Sequence, residues 1–225
     1  MSLAVSSPLT RERSLAVNEI FFSIQGESTQ AGRPCAFVRL MGCPLRCSYC
    51  DTEYAFYEGR SKTFDDIIAQ LNRYPSKLVE LTGGEPLAQP RSIPFMEELV
   101  SRGFEVLLET SGALSVEGVP KEVRIIMDLK TPSSGESQRN YWDNLGFLKE
   151  GVDEIKFVVG DREDFNFLLE SCRAHRLPER FAVLVSPVFG KINLEHLAGW
   201  VLDSGYPLRM QVQMHKLIWG EKRGV

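Results

Sequence analysis

Three cysteines fall close together in Gly42-Cys43-Pro44-Leu45-Arg46-Cys47-Ser48-Tyr49-Cys50-Asp51-Thr52. A Cys-x3-Cys-x2-Cys loop can present three thiolates to one face of a cubane iron–sulfur cluster. Three protein ligands leave one iron open. An open position is what separates a metal centre that binds a reactant from one that only holds structure. A structural zinc loop would need a second two-ligand element, and none follows: His175, His196 and His215 are each isolated. A non-enzymatic iron–sulfur electron carrier is the other plain reading, and it expects a fully ligated cluster. The remaining cysteines, Cys35 and Cys172, fit small buried hydrophobes. An odd total of five does not suit a secreted disulfide framework.

Such a loop needs a frame. Short β-rich runs are expected at Asn18–Ile24, Ala36–Leu40, Leu78–Leu81, Phe104–Leu108, Arg124–Asp128, Glu154–Val159, Phe181–Val185 and Leu208–Val212. Amphipathic stretches predict helices over Thr63–Arg73, Ser92–Arg102, Asn140–Lys149, Arg162–Ala174 and Leu194–Ser204. Thr63, with Asp65 and Asp66 behind it, reads as a helix start, and Gly103 as a helix stop. Strand–helix alternation predicts parallel strands joined by right-handed crossovers. The steps are fewer than a closed barrel needs, so the expected class is α/β, a partial (incomplete) TIM-like (β/α) barrel with parallel strands. Chemistry is then expected at the strands' C-terminal ends. The cysteine loop sits there, as do Thr82-Gly83-Gly84-Glu85-Pro86, Glu109-Thr110-Ser111-Gly112 and Leu129-Lys130.

The 225 residues allow one sizeable core, and 43% apolar with 25% charged residues is ordinary for a globular protein. A net charge of −4 argues against a nucleic-acid partner. No apolar run approaches a membrane span, and the first residues lack the order of a signal peptide. Residues 1–17 are expected to be a flexible or vector-derived lead, with 18–225 a single domain and a cytoplasmic location.

The cysteine spacing, with Tyr49 before the last cysteine, resembles the radical S-adenosylmethionine superfamily. The resemblance implies a [4Fe-4S] cluster held by Cys43, Cys47 and Cys50, with S-adenosylmethionine on the open iron. Reductive cleavage would give a 5'-deoxyadenosyl radical that abstracts hydrogen from substrate. Paired glycines let backbone approach a ligand closely. After a three-cysteine loop, Gly83-Gly84-Glu85-Pro86 resembles the superfamily's motif for the methionine amino group. By the same resemblance Tyr49, Gly83, Gly84, Glu85, Ser111, Asp128, Leu129 and Lys130 contact S-adenosylmethionine.

Within the superfamily, Ile24-Gln25-Gly26-Glu27-Ser28, Arg39, Asp51-Thr52 and Gln213-Met214-His215-Lys216 resemble the 7-carboxy-7-deazaguanine synthases. Ile24 stands for that family's Leu, Ser28 for its second Gly and Met214 for its Thr. The resemblance implies conversion of 6-carboxy-5,6,7,8-tetrahydropterin to 7-carboxy-7-deazaguanine, with loss of ammonia, toward queuosine. Ile24, Gln25, Gly26, Glu27, Arg39, Thr82 and His215 would contact substrate. The chemistry suits them. Glu27 can accept from the pterin's N–H donors, and Gln25 can match either kind of group. Arg39 offers a bidentate fork to a carboxylate. His215 is tunable near neutral pH. The resemblance also implies Mg2+ on Thr52, although Asp51 is the better hard ligand on chemistry alone. It further implies a homodimer and an electron donor such as flavodoxin or ferredoxin. A glycyl-radical-enzyme activase is the alternative enzyme, and it requires a polypeptide groove in place of the Gln25, Glu27, Arg39 and His215 pocket.

Overall fold

The computed structural model describes residues 13–225, so residues 1–12 of the expected lead, and the reading of a signal peptide, lie outside it. The rest of that lead is corrected. Strand β1 runs Ser14–Ile24, and the side chains of Leu15 and Val17 are buried in the core. Two apolar residues spaced by two put one face of a strand on the core, which the lead reading overlooked.

The strands form one nine-stranded sheet in the order β3-β1-β2-β4-β5-β6-β7-β8-β9. They are β2 (Pro34–Leu40), β3 (Arg60–Thr63), β4 (Leu78–Gly83), β5 (Glu105–Thr110), β6 (Arg124–Asp128), β7 (Glu154–Val159), β8 (Ala182–Pro187) and β9 (Leu208–Met210). From β2 through β4 to β9 every neighbouring pair is parallel. The expectation of parallel strands throughout is corrected at one edge, where β1 pairs antiparallel with both β2 and β3. The sheet is curved and does not close. Among the described residues no helix is long and apolar enough to cross a membrane.

Helices α1 (Phe64–Leu71), α2 (Ser92–Ser101), α3 (Arg162–His175), α4 (Leu177–Arg180), α5 (Leu194–Asp203) and α6 (Met214–Trp219) complete the fold. Thr63 caps α1 reciprocally with Asp66, as its position predicts. Gly103 follows α2 at φ +78°, a conformation that favours glycine. Cys172 on α3 and Cys35 on β2 are buried. The helix expected over Asn140–Lys149 is a single short turn, Trp142–Gly146, of the tighter three-residue kind. Asn140 spends its amide on the backbone of Lys130, and Asn144 spends its own on Val116 and Leu114. Side chains that bond distant backbone compete with helix formation.

Strand periodicity builds the interior. Residues facing outward, such as Val79, Leu81, Val106, Leu108 and Ile155, pack under the helices in the main core. Residues facing inward stack in two layers. The lower layer is apolar, with Cys35, Phe37, Leu78, Leu107, Ile126 and Leu184 in a separate cluster. Two residues further along each strand the inward side chain is polar: Arg39 on β2, Glu80 on β4, Glu109 on β5, Asp128 on β6 and Ser186 on β8. Lys156, on β7, joins them. An apolar floor therefore carries a polar chamber.

Candidate active site

That chamber is a cavity of about 690 Å³. Cys43, Cys47 and Cys50 all line it, along with Tyr49, Asp51 and Thr52. The loop is fixed by backbone pairing with the glycine pair. Gly84 N–H donates to Leu40 O at 3.0 Å, and Glu85 N–H donates to Gly42 O at 2.8 Å. Gly83 sits at φ +149°, and a Cβ there would meet Leu40 O at 2.3 Å. Glycine is therefore required by close approach as well as by conformation.

Burial pushes the Cys47 thiol up to about 11, with Lys130 opposing the rise. Binding iron thus displaces the proton that the free Cys47 thiol holds. The donor set suits a cluster with an open iron: three soft thiolates face one cavity, and the other two cysteines are buried elsewhere. Among the described residues no three Cys, His, Asp or Glu converge on a single ion, as a zinc site would need.

The expected S-adenosylmethionine contacts divide. Tyr49, Gly83, Gly84, Ser111, Asp128 and Lys130 line the cavity. Glu85 is corrected. It is 0% exposed, and its carboxylate accepts from Leu87 N, Thr110 Oγ1, Ser111 N and Ser111 Oγ. Those donors take both of its oxygens, so Glu85 ties the glycine loop to the end of β5 and faces no ligand. Leu129 packs its side chain in the main core, which leaves its backbone as the part that could meet a ligand. Asp128 shows the opposite pattern. Lys130 Nζ holds its Oδ2 at 2.8 Å, while Oδ1 is buried without a partner. That oxygen is shut off from the cavity, so the residue meets the chamber beside the Lys130 ammonium rather than through Oδ1.

On the substrate side, Ile24, Gln25, Gly26, Glu27, Arg39, Thr82 and His215 all line the same cavity. Gln25 is more constrained than its sequence suggests. Its Oε1 accepts from Glu27 N at 2.5 Å, and its Nε2 donates to Glu80 Oε2. Both ends are committed to positioning neighbours. Ser28, which stands where the resemblance expects glycine, adopts φ +63° and accepts from Gln30 N at 3.0 Å. The left-handed turn is kept, and the serine hydroxyl serves it. Arg39 Nε donates to Glu19 Oε1 at 2.8 Å, and its guanidinium lies between the rings of Phe21 and Tyr54. Its two Nη groups remain available to a carboxylate.

The residues that sequence reasoning passed over are Glu80, Glu109 and Lys156. Lys156 Nζ lies 3.1 Å from Glu27 Oε2 and 4.0 Å from Asp128 Oδ2, and it pairs directly with Glu109. Thr82 Oγ1 also donates to Glu109, at 3.1 Å. Burial alone would raise the Glu109 carboxyl, but the Lys156 ammonium reverses this and holds it down to about 2. Glu27 is raised by burial, which Lys156 offsets only in part. For Glu80 and Glu109 the signal in the sequence was a polar residue two places after an inward apolar one on a strand; Lys156 follows Glu154 and carries no such signal.

The C-terminal helix closes the chamber's open side. Met214 N–H donates to Gly26 O at 3.0 Å, and Lys216 Nζ donates to Asp51 Oδ2 at 2.6 Å. Burial and the neighbouring Lys216 hold the His215 imidazole below its ordinary value, which favours the neutral ring. A Cβ on Gly26 would meet His215 Nδ1 at 2.2 Å. Gly26→Ala is therefore expected to push the imidazole off its place with little effect on the thermal midpoint. A displacement of about 1 Å costs about a hundredfold in kcat/KM. Steady-state kinetics beside a thermal melt checks this, and a variant with wild-type kcat/KM would refute the role given to Gly26.

Comparison with known proteins agrees with this geometry. Residues 38–134 match the Radical SAM superfamily. The chain is 44% identical to the 7-carboxy-7-deazaguanine synthase of Koribacter versatilis, covering 94% of this chain and 100% of the relative. It is 40% identical to that of Chlorobaculum tepidum, covering 96% and 100%. The crystal structure of QueE from Escherichia coli superposes with a TM-score of 0.75 at 23% identity, covering 94% of this chain and 100% of that one, which supports the fold. The cysteine loop, the glycine loop bonded to it and relatives matched along nearly the whole chain lead to one assignment: the chain belongs to the 7-carboxy-7-deazaguanine synthase family of radical S-adenosylmethionine enzymes.

Proposed function

We propose that this protein converts 6-carboxy-5,6,7,8-tetrahydropterin to 7-carboxy-7-deazaguanine with loss of ammonia, in queuosine and 7-deazapurine biosynthesis. The observation that carries the reading is convergence. The three thiols, the glycine loop and the polar layer on β2 and β4–β8 all border one cavity. When bound, the cluster and S-adenosylmethionine supply the radical that removes hydrogen from substrate. The protein's own groups bind, orient and exclude water. Cys43, Cys47 and Cys50 would hold the cluster. Backbone at Gly83 and Gly84, Ser111, the Asp128–Lys130 pair and Tyr49 would hold S-adenosylmethionine. Glu27 would accept from the pterin N–H groups, and the Arg39 Nη pair would meet the substrate carboxylate. Thr82 and His215 would border the ring, with Ile24 and Gly26 beside them.

Mg2+ fits Thr52 better than Asp51. Asp51 Oδ2 is already taken by Lys216 Nζ at 2.6 Å and by Gln213 Nε2 at 3.3 Å. A second cation beside that ammonium would be repelled. Thr52 lines the cavity, and among the described residues its hydroxyl has a single hydrogen-bond contact, the Cys50 sulfur at 3.8 Å. One protein oxygen, with substrate oxygens and water, suits Mg2+.

The reading also takes residues 14–225 as one functional unit, a homodimeric assembly in the cytoplasm and a one-electron donor of the flavodoxin or ferredoxin type. A glycyl-radical activase would need a groove open to a polypeptide. Gly220–Val225 instead line the cavity, with Arg223 stacked on the Tyr54 ring at 3.6 Å. The test is anaerobic cluster reconstitution, then mass spectrometry after incubation with S-adenosylmethionine, reductant and the carboxytetrahydropterin. Both 5'-deoxyadenosine and the deazaguanine are expected. A loaded cluster that yields neither overturns the proposal.

A further inference from the structure

The acids and cations that line the chamber are not evenly paired. Glu27, Glu80, Glu109 and Asp128 face it from the strands and the loop after β1, with Lys156 and Lys130 beside them, while Lys216, on the C-terminal helix, is paired with Asp51. Lys156 serves Glu27 and Glu109, and Lys130 serves Asp128. Arg39 is engaged by Glu19. Glu80 alone has no cationic partner within 4.0 Å among the described residues, although it is only 2% exposed. A buried, unpaired carboxylate is costly, and protonation is the usual way out.

The hydrogen bonds show where the proton sits. Glu27 N–H must find an acceptor, and Gln25 Oε1 is that acceptor at 2.5 Å. The other end of Gln25 is therefore its NH2, which donates to Glu80 Oε2. Glu80 Oε1 has no protein partner, and it is not among the fully buried orphan atoms, so it reaches the cavity. A proton on Glu80 belongs on that oxygen and points at whatever occupies the chamber.

We propose that Glu80 is a specificity-determining residue of this site, a neutral carboxylic acid whose Oε1–H donates to the ring carbonyl oxygen of the bound pterin while Glu27 accepts from the adjacent ring N–H groups. The inference rests on the pterin reading above and deepens it. The amino-pyrimidinone edge presents one acceptor beside donors, and of two carboxyl groups a neutral one and an ionised one together match both. Two carboxylates would repel the carbonyl. A substrate lacking it would leave the Glu80 hydroxyl unsatisfied, which is how sites reject close analogues.

The groups around Glu80 keep it protonated. Glu27 approaches from the loop after β1, Cys35 from β2, Glu109 from β5 and Lys156 from β7. Burial and the Glu109 charge hold Glu80 well above the carboxylate range, and Gln25 and Lys156 only moderate this. The donor is present below the pKa of Glu80 and is lost as pH rises through it.

The experiment has a substrate-free arm and a kinetic arm. Infrared difference spectra of the wild type against Glu80→Gln at neutral pH are expected to show a protonated carboxyl C=O band that the variant lacks. No such band overturns the inference. In kinetics, Glu80→Leu is expected to raise the pterin KM about tenfold, the worth of one buried hydrogen bond. Glu80→Gln, which keeps a donor, is expected to recover most of that loss and to lack the alkaline rise in KM expected of the wild type. A Gln variant as impaired as the Leu variant, or an unchanged KM in Glu80→Leu, also overturns it. Should Glu80→Leu fail to fold, the infrared band and the wild-type pH profile still decide. A wild type that shows the band but converts no pterin would instead remove the functional reading.

Discussion

Gly84→Ala is expected to cost the protein its cluster. A Cβ at this position would lie 2.2 Å from Gly42 O, 2.6 Å from Gly42 C and 2.9 Å from Cys43 Cβ. The first two are backbone atoms, so no side-chain rotation relieves the clash. The glycine loop or the cysteine loop must move, and the 2.8 Å bond from Glu85 N to Gly42 O goes with it. Cys43 is the residue next to the clash. Iron per chain after reconstitution should fall well below the wild-type value. S-adenosylmethionine cleavage should drop by at least about a hundredfold, the usual cost of an ångström of misplacement. Gly199→Ala is the matched control. Gly199 lies within α5, has nothing within 4 Å of the added Cβ, and has an ordinary φ. There alanine should stabilise by about 0.5–1 kcal/mol, because it restricts the unfolded chain and favours helix. A Gly84→Ala protein with full iron and a wild-type rate would show that the two loops are not coupled.

Lys156→Met carries the second large effect. The ammonium sits among Glu27, Glu109 and Asp128 and is almost wholly buried. Removing one partner of a buried pair leaves the other charge uncompensated, at about 3–5 kcal/mol. Here several carboxylates are left facing one another. The pH dependence follows from the sign of the shifts. In the wild type Lys156 holds Glu109 at about 2, below its ordinary 4.5. That contribution is fully present above 4.5 and is lost as pH falls toward 2. Without the ammonium, burial alone acts on Glu109 and Glu27 and raises both. Protonation then relieves the repulsion. The variant's melting temperature should therefore rise more steeply than the wild type's between about pH 7 and about pH 5, because protonated Glu80 contributes to both and the further rise of Glu27 and Glu109 only to the variant. Equal melting of variant and wild type at about pH 7 would mean that the lysine does not hold the acids together.

The chemistry of the cysteine loop was legible in the sequence because it is local. Cys43, Cys47 and Cys50 lie within one short segment, so covalent connection alone brings them together whatever the fold. The period-2 runs likewise determined most strands, and the polar ends of those strands determined where ligands would meet. The antiparallel edge was harder to read. Nothing in a run such as Ser14–Ile24 states the direction of its neighbour, and β3 at Arg60–Thr63 is too short and charged to signal a strand.

The roles of individual side chains depended on partners far away in the chain. Glu85 resembles a ligand contact by its motif, yet Thr110 and Ser111 satisfy its carboxylate across the strand end. Gln25 looks free to match a substrate, yet it is fixed between Glu27 and Glu80, 55 residues away in the chain. Lys156 meets Glu27 across a separation of 129 residues. The sequence by itself determined the radical initiator and the family, because both are written in contiguous residues. Only the tertiary structure decided which acids are charged. That depends on burial and on the distance to a shared ammonium, and the curvature of the sheet sets both.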